Sequence, residues 1–435
     1  MKYLTTALLI LSLASCSKRL SQAFVASDID HFWQAYDMIT QTNDTILQQQ
    51  YLDNFFIGKA TAGQLEIMEA RNYTSAGYLQ AINSYPLFWN SIRANTQKYL
   101  SQQKEITRNI QKLKKAYPDL KPSTIYFTIG VLRTNGTTMG NHVLIGNELA
   151  FGDDNTIINE LPEWRQPFFQ TFKPLENLGL LCTHEYLHTQ QKEMVHNLLS
   201  ICLYEGIAEY ISCKVTGKKS STPSIQFGKD NVDIVVSQFV QDLYLIDNNF
   251  NWLWGENRNQ LKVRDLGYFI GYEIAERYYN QAADKRKVIK DLIELDYNNE
   301  SAVESLVDAS GLLPKPLLEI FNEYESSRPV VVNISEFENG SKMVSPTTKR
   351  VTVNFSEALN GHNTGLDFGP LGQDFYPKVD NNTRQWSSDN KSYSFEVALI
   401  PKQRYQMVIS NFRRTDGIRL KSFLIDFETD SLATD

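Results

Sequence analysis

The hydrophobic period of this chain switches a final time near Ser326-Ser327-Arg328-Pro329, and that switch divides its 435 residues into two kinds of fold. Before Ser326-Ser327-Arg328-Pro329 the apolar residues recur mostly at helical spacing. Ile29, Phe32, Trp33 and Tyr36 stand at i, i+3, i+4 and i+7, behind a candidate N-cap at Ser27-Asp28. A second helical run extends from about Pro86 to Tyr117 and stops at Pro118. Residues 174–217 and 230–327 also read as helical. Two short strands interrupt the helices. Ser123–Gly130 alternates Ile125, Phe127 and Ile129, and His142–Gly146 forms the second. From Val330 onward the period is two, in Val351-Val353-Phe355, Tyr393-Phe395-Val397-Leu399, Tyr405-Met407-Ile409 and Phe423-Ile425-Phe427. Asn, Gly, Asp and Pro separate these runs. The expected fold is α+β: a mainly helical part with a small sheet, then an all-β sandwich over 328–435.

Composition narrows the class. Hydrophobic residues make up 42% and charged residues 21%, which is globular rather than disordered. The net charge of −7 excludes the broadly basic face of a nucleic-acid coat. At the start, Lys2 precedes an apolar run, Leu4 to Leu13, too short to span a bilayer comfortably. It leads into Leu13-Ala14-Ser15-Cys16, which resembles a bacterial lipobox. That resemblance implies a signal peptide over 1–16 and a lipid on Cys16. It implies a lipid-anchored protein of the bacterial cell envelope. Ser17-Lys18-Arg19 carries no acidic run, so the outer membrane facing the periplasm is the expected location. The remainder divides into 17–120, a helical region; 121–327, the chemical core; and 328–435, the sandwich. Cys182, Cys202 and Cys213 do not amount to a disulfide framework. Cys182 and Cys202 could pair or remain buried thiols.

The chemistry lies in Leu180-Leu181-Cys182-Thr183-His184-Glu185-Tyr186-Leu187-His188. Two of the six histidines stand four apart in one H-E-x-x-H motif. On a helix His184 and His188 share a face and can grip one metal ion, with Glu185 beside them as a base. A catalytic zinc commonly has three protein ligands. A third histidine at the metzincin spacing is absent, since that position is Met194 and Gln191 stands where Gly is expected. His196 falls two residues later, in a connecting loop. The better candidate is Glu205, in Leu203-Tyr204-Glu205-Gly206-Ile207-Ala208-Glu209-Tyr210. Asn197 can cap that helix and Gly217 can end it. Gly206 would let it approach the His184 helix closely. Glu209, one turn after Glu205, could accept the spare ring N–H of a ligand histidine or be a solvated surface acid.

H-E-Y-L-H followed by E-G-I-A-E-Y resembles the gluzincin metallopeptidases, and within them a family of predicted zinc-dependent proteases with an E-G-x-A helix. The resemblance covers about 120 to 290. It implies a zincin-like domain, Zn2+ held by His184, His188 and Glu205, and Glu185 activating a zinc-bound water. A peptide or protein is the implied substrate. Gly146-Asn147-Glu148 is a partial echo of the G-x-M-E-N motif of the aminopeptidase branch. In the resembled fold an edge strand pairs with substrate; His142–Ile145 could be that strand or part of the core. Tyr268 is the candidate oxyanion donor, against plain aromatic packing for it and for Tyr272. Asp30 to Tyr51 and Tyr85-Pro86-Leu87-Phe88 are similar to gliding-motility-associated lipoproteins. Pro329-Val330-Val331 and Lys349 to Ala358 resemble a bacterial Ig-like domain of the surface-layer type, which implies an envelope protein partner. Trp386 and Tyr393 could contact a sugar or protein, or pack. The alternative to a peptidase is a non-catalytic envelope scaffold on the same fold.

Overall fold

The computed structural model describes residues 22–245, 248–255 and 261–431. Residues 1–16, with Cys16, lie outside the described residues. The fold is α+β. The chain makes two compact units. One comprises the chain up to Val232 together with Leu253–Leu312; the other comprises Asp233–Trp252 and the chain from Leu313 on.

The first unit is helical around a four-stranded sheet. Its strands are β1 (Ala23–Val25), β2 (Thr124–Thr128), β3 (Gly136–Met139) and β4 (His142–Gly146). Their order is β1-β2-β4-β3. β1 runs parallel to β2 and β2 parallel to β4, while β3 closes back antiparallel on β4. Val143, Leu144 and Ile145 are all buried, as expected of a strand covered on both faces. β4 is therefore interior, and the edge strand beside it is β3, which the sequence reading did not identify. The apolar stripe of the first helix, Ser27–Ile39, is buried through Ile29, Phe32, Trp33 and Tyr36. Asp28 does not cap its own helix. Its carboxylate accepts the Thr61 backbone N–H at 2.8 Å, at the head of the helix Ala62–Ala70.

Three helices carry the site. The His184 helix spans Leu178–His188 and the Glu205 helix Leu198–Thr216. The Tyr268 helix spans Leu266–Gln281. Pro174 lies in the turn before the first of them. Asn197 caps the second, accepting the Ser200 N–H at 2.8 Å, and Gly217 ends it at φ 78°. Nearly every residue of the Glu205 helix is buried, so it is apolar almost all round.

The second unit holds seven strands: β5 (Val331–Ile334), β6 (Arg350–Phe355), β7 (Gly365–Phe368), β8 (Lys378–Trp386), β9 (Ser392–Ala398), β10 (Arg404–Ser410) and β11 (Phe423–Glu428). They form one sheet of order β5-β6-β9-β8 and another of order β11-β10-β7. All pairings are antiparallel. Val351, Val353, Phe395, Met407, Ile409 and Ile425 from both sheets share one core. Trp386 and Tyr393 pack on each other and on Phe412 there, which is their packing role.

Candidate metal centre

The His184 helix is docked before its histidines do anything. The Tyr186 hydroxyl accepts the Ser123 backbone N–H at 2.9 Å, at the foot of β2. Thr189 and Ser123 bond through their hydroxyls at 2.7 Å. On the opposite side the Glu205 helix packs against the Tyr268 helix at two glycines. A Cβ at Gly206 would lie 2.2 Å from the Tyr272 nitrogen, and one at Gly271 would lie 1.8 Å from the Cys202 carbonyl oxygen. Gly206 thus serves the approach to the Tyr268 helix, not to the His184 helix as its sequence position suggests.

These elements bring His184, His188 and Glu205 together. The two Nε2 atoms are 3.0 Å apart, and Glu205 Oε2 is 3.3 Å from one and 3.4 Å from the other. Ligand atoms about 2.0–2.1 Å from a tetrahedral centre are about 3.3 Å apart, so the separations fit zinc. The tautomers strengthen the fit. His188 Nδ1 meets Gln191 Oε1 at 2.7 Å, while Gln191 Nε2 donates to the Tyr204 carbonyl at 3.0 Å. A carbonyl only accepts, so the amide orientation is fixed and His188 Nδ1 must donate. His184 Nδ1 meets Glu209 Oε2 at 2.9 Å, and a carboxylate also only accepts. In both neutral rings the proton therefore sits on Nδ1. With both rings neutral, the two Nε2 lone pairs and a carboxylate oxygen face one another, a donor set of the kind that holds a metal ion.

Without a cation, the two carboxylates act on the imidazoles directly. Burial opposes charge on His184, but its contacts with Glu205 and Glu209 outweigh it and hold the imidazole pKa well above its ordinary value. Burial alone would raise the Glu205 and Glu209 carboxyls. The histidines reverse this and hold Glu205 far below the usual carboxylate range, with Glu209 lowered too. Glu185 is the exception. Burial raises its pKa, and the two histidines only partly offset that. Its carboxyl lies against β3, where a Cβ at Gly136 would meet Glu185 Oε1 at 2.6 Å.

The surroundings supply residues that the motif search missed. Gln191 orients His188, and the Tyr204 ring stacks on the His188 ring at 4.3 Å and 11°. The Ser220 hydroxyl and, at 3.8 Å, the Cys213 thiol donate to Glu209 Oε1. Gln191 had a signal, since it stands three residues after His188; Ser220 had none. The Tyr268 ring lies over His184, with centroids 6.2 Å apart. Tyr272 packs edge-on against Tyr210 at 5.3 Å. His196 lies in the loop between the two helices. Glu148 is wholly buried and accepts the backbone N–H groups of Gly130 and Leu132 at 2.9 and 3.2 Å, and burial pushes its carboxyl up to about 7. Cys182, Cys202 and Cys213 are free, buried thiols, so the Cys182–Cys202 bridge is absent.

Comparison with known proteins places the chain. The family described as Gliding motility protein GldB matches residues 15–241, just over half of the sequence and inclusive of Cys16 and the whole cluster from His184 to Glu209. The chain belongs to this family. The GldB family is one of bacterial cell-envelope lipoproteins, in keeping with membrane anchoring. Within the described residues no helix is long and apolar enough to cross a membrane. No curated protein matches the chain. Among solved structures, the S-layer protein rSbsC(31-844) is 12% identical, covering 93% of this chain and 45% of that one at a TM-score of 0.18. The N-terminal part of the bacterial S-layer protein SbsC is 14% identical, covering 93% and 77% at 0.17. This chain spans less than half the length of the first, and scores this low carry nothing about its fold.

Proposed function

We propose that this GldB-family lipoprotein is a zinc-dependent peptidase of the bacterial envelope, its helical unit a zincin-like domain. The observation that carries the reading is the convergence of two imidazoles and one carboxylate, with a further acidic side chain, Glu185, beside them and outside the ligand set. A zinc ion held by His184, His188 and Glu205 would polarise a peptide carbonyl and acidify an attacking water. Glu185 takes the proton from that water and passes it to the leaving amine. Its raised pKa suits both halves of that task. Glu209 and Gln191 keep the ligand rings in the right tautomer. Tyr268 keeps its proton, because burial and the Glu205 carboxylate raise its pKa well above the ordinary phenol value, and so can act as a donor. β3, the edge strand whose Gly136 touches Glu185, offers free backbone groups to an extended peptide.

The test is cleavage of casein or a quenched peptide. Wild-type protein should cleave, a chelator should stop it, and Glu185→Gln should abolish cleavage while leaving the metal bound. Absence of stoichiometric metal in purified protein would overturn the reading. A non-catalytic envelope scaffold is the second reading. Family membership and a two-sheet, Ig-like unit suited to docking an envelope partner favour it; it predicts no cleavage by any metal form.

A further inference from the structure

We propose that a lipid on Cys16 holds the metal centre at the bilayer surface, so that its substrates are polypeptides tethered to the same membrane. The inference names the substrate class of the peptidase reading and rests on it. Anchor and site meet at one end of the four-stranded sheet. Gln22 stands six residues after Cys16, a stretch that spans about 20 Å at most. Its side-chain amide donates to the Ser123 carbonyl at 2.8 Å, and Ala23 then pairs with Thr124. The Ser123 backbone N–H donates to the Tyr186 hydroxyl, and the Ser123 hydroxyl bonds that of Thr189 at 2.7 Å. Tyr186 and Thr189 bracket His188, a proposed metal ligand. The residue that receives the chain from the anchor is therefore the one on which the metal helix is docked.

The edge strand gives the direction of a bound peptide. Thr124 lies opposite Ala23 on one side and His142 on the other, and His142 lies opposite Met139. The entry end of the sheet thus runs from Ala23 across to Met139. β3 begins at Gly136, against Glu185, and ends at Met139. A peptide paired along β3 therefore extends from Glu185 toward the end where the anchored chain enters, which is toward the lipid. Three residue steps of strand cover about 10 Å. With the reach of the anchor added, the scissile bond falls within about ten residues of the substrate's own attachment to the membrane. Enzyme and substrate confined to one surface also meet at a raised effective concentration.

The experiment uses full-length lipidated protein in vesicles, beside a form with a Gly-Ser spacer inserted after Arg19. A spacer of about thirty residues adds roughly 30 Å of reach. In both forms Glu193→Cys, exposed in the loop after the metal helix, carries a fluorophore, and the vesicles carry an acceptor on the lipid headgroup. Cys182, Cys202 and Cys213 are buried and stay unlabelled. A random-sequence peptide is offered free in solution and lipid-tethered at either end. Energy transfer should be several-fold stronger without the spacer. The tethered peptide should be cut at least about tenfold faster than the free one, at bonds within about ten residues of the lipid. With the spacer the cuts should move outward. Equal transfer with and without the spacer, equal rates for the two peptides, or cuts that ignore distance from the lipid would overturn the proposal. Protein that shows the transfer difference but cuts neither peptide would defeat the peptidase reading alone, and the placement of the site at the bilayer would stand.

Discussion

A histidine has two ring nitrogens, and the partner of one decides what the other can hold. At His184 and His188 the outer nitrogens meet Glu209 and Gln191, which leaves both inner lone pairs for a cation. The pairing of His184 with His188 was legible in the sequence, because helical geometry alone puts residues four apart on one face. Gln191 stands at a telling spacing, three residues after His188, but its role was hidden, because it depends on a carbonyl of Tyr204 that only the return helix supplies. Gln191→Ala should lower zinc affinity about tenfold, measured by chelator competition, while His188→Ala should abolish stoichiometric binding. The pH profile tests Glu185. A base must be ionised, and its folded pKa is raised above the ordinary 4.5 by burial. Cleavage is therefore present above that raised value and lost as pH falls through it. The acid limb of kcat/KM should lie above pH 4.5; a rate that stays flat down to that pH would remove Glu185 from the mechanism.

Elements were legible where one periodicity dominates and hidden where contacts are distant. The stripe Ile29, Phe32, Trp33, Tyr36 became a buried helix face, and Asn197 and Gly217 became its expected kinds of cap on the Glu205 helix. β3 escaped notice because Gly136-Thr137-Thr138-Met139 has no apolar alternation; it is a strand because β4 pairs with it. The parallel pairing of Ala23 with Thr124 joins segments about a hundred residues apart, which no local pattern encodes. Gly271→Ala should cost about 2 kcal/mol or more in chemical denaturation, because backbone rather than a flexible side chain fills the space. Gly136→Val should displace Glu185, reducing cleavage at least a hundredfold while zinc content stays at wild type.

At the scale of the whole molecule, the change of period near Pro329 marked the all-β part correctly, yet the second unit also takes in Asp233–Trp252 and the helix Leu317–Ser327. Their helical periodicity says nothing about which core they join. All three proposed ligands belong to the first unit. Zinc bound only to the folded state should raise the unfolding midpoint of one transition and leave the other unmoved, as followed by calorimetry with and without chelator. The central claim is hydrolysis by Glu185 at a zinc centre. Its most direct measurement compares cleavage of a random peptide library by wild-type protein and Glu185→Gln, each with its zinc content determined on the same sample. The account predicts one zinc in both and cleavage by the wild type alone. Wild-type protein without zinc, or equal cleavage by both, would contradict it.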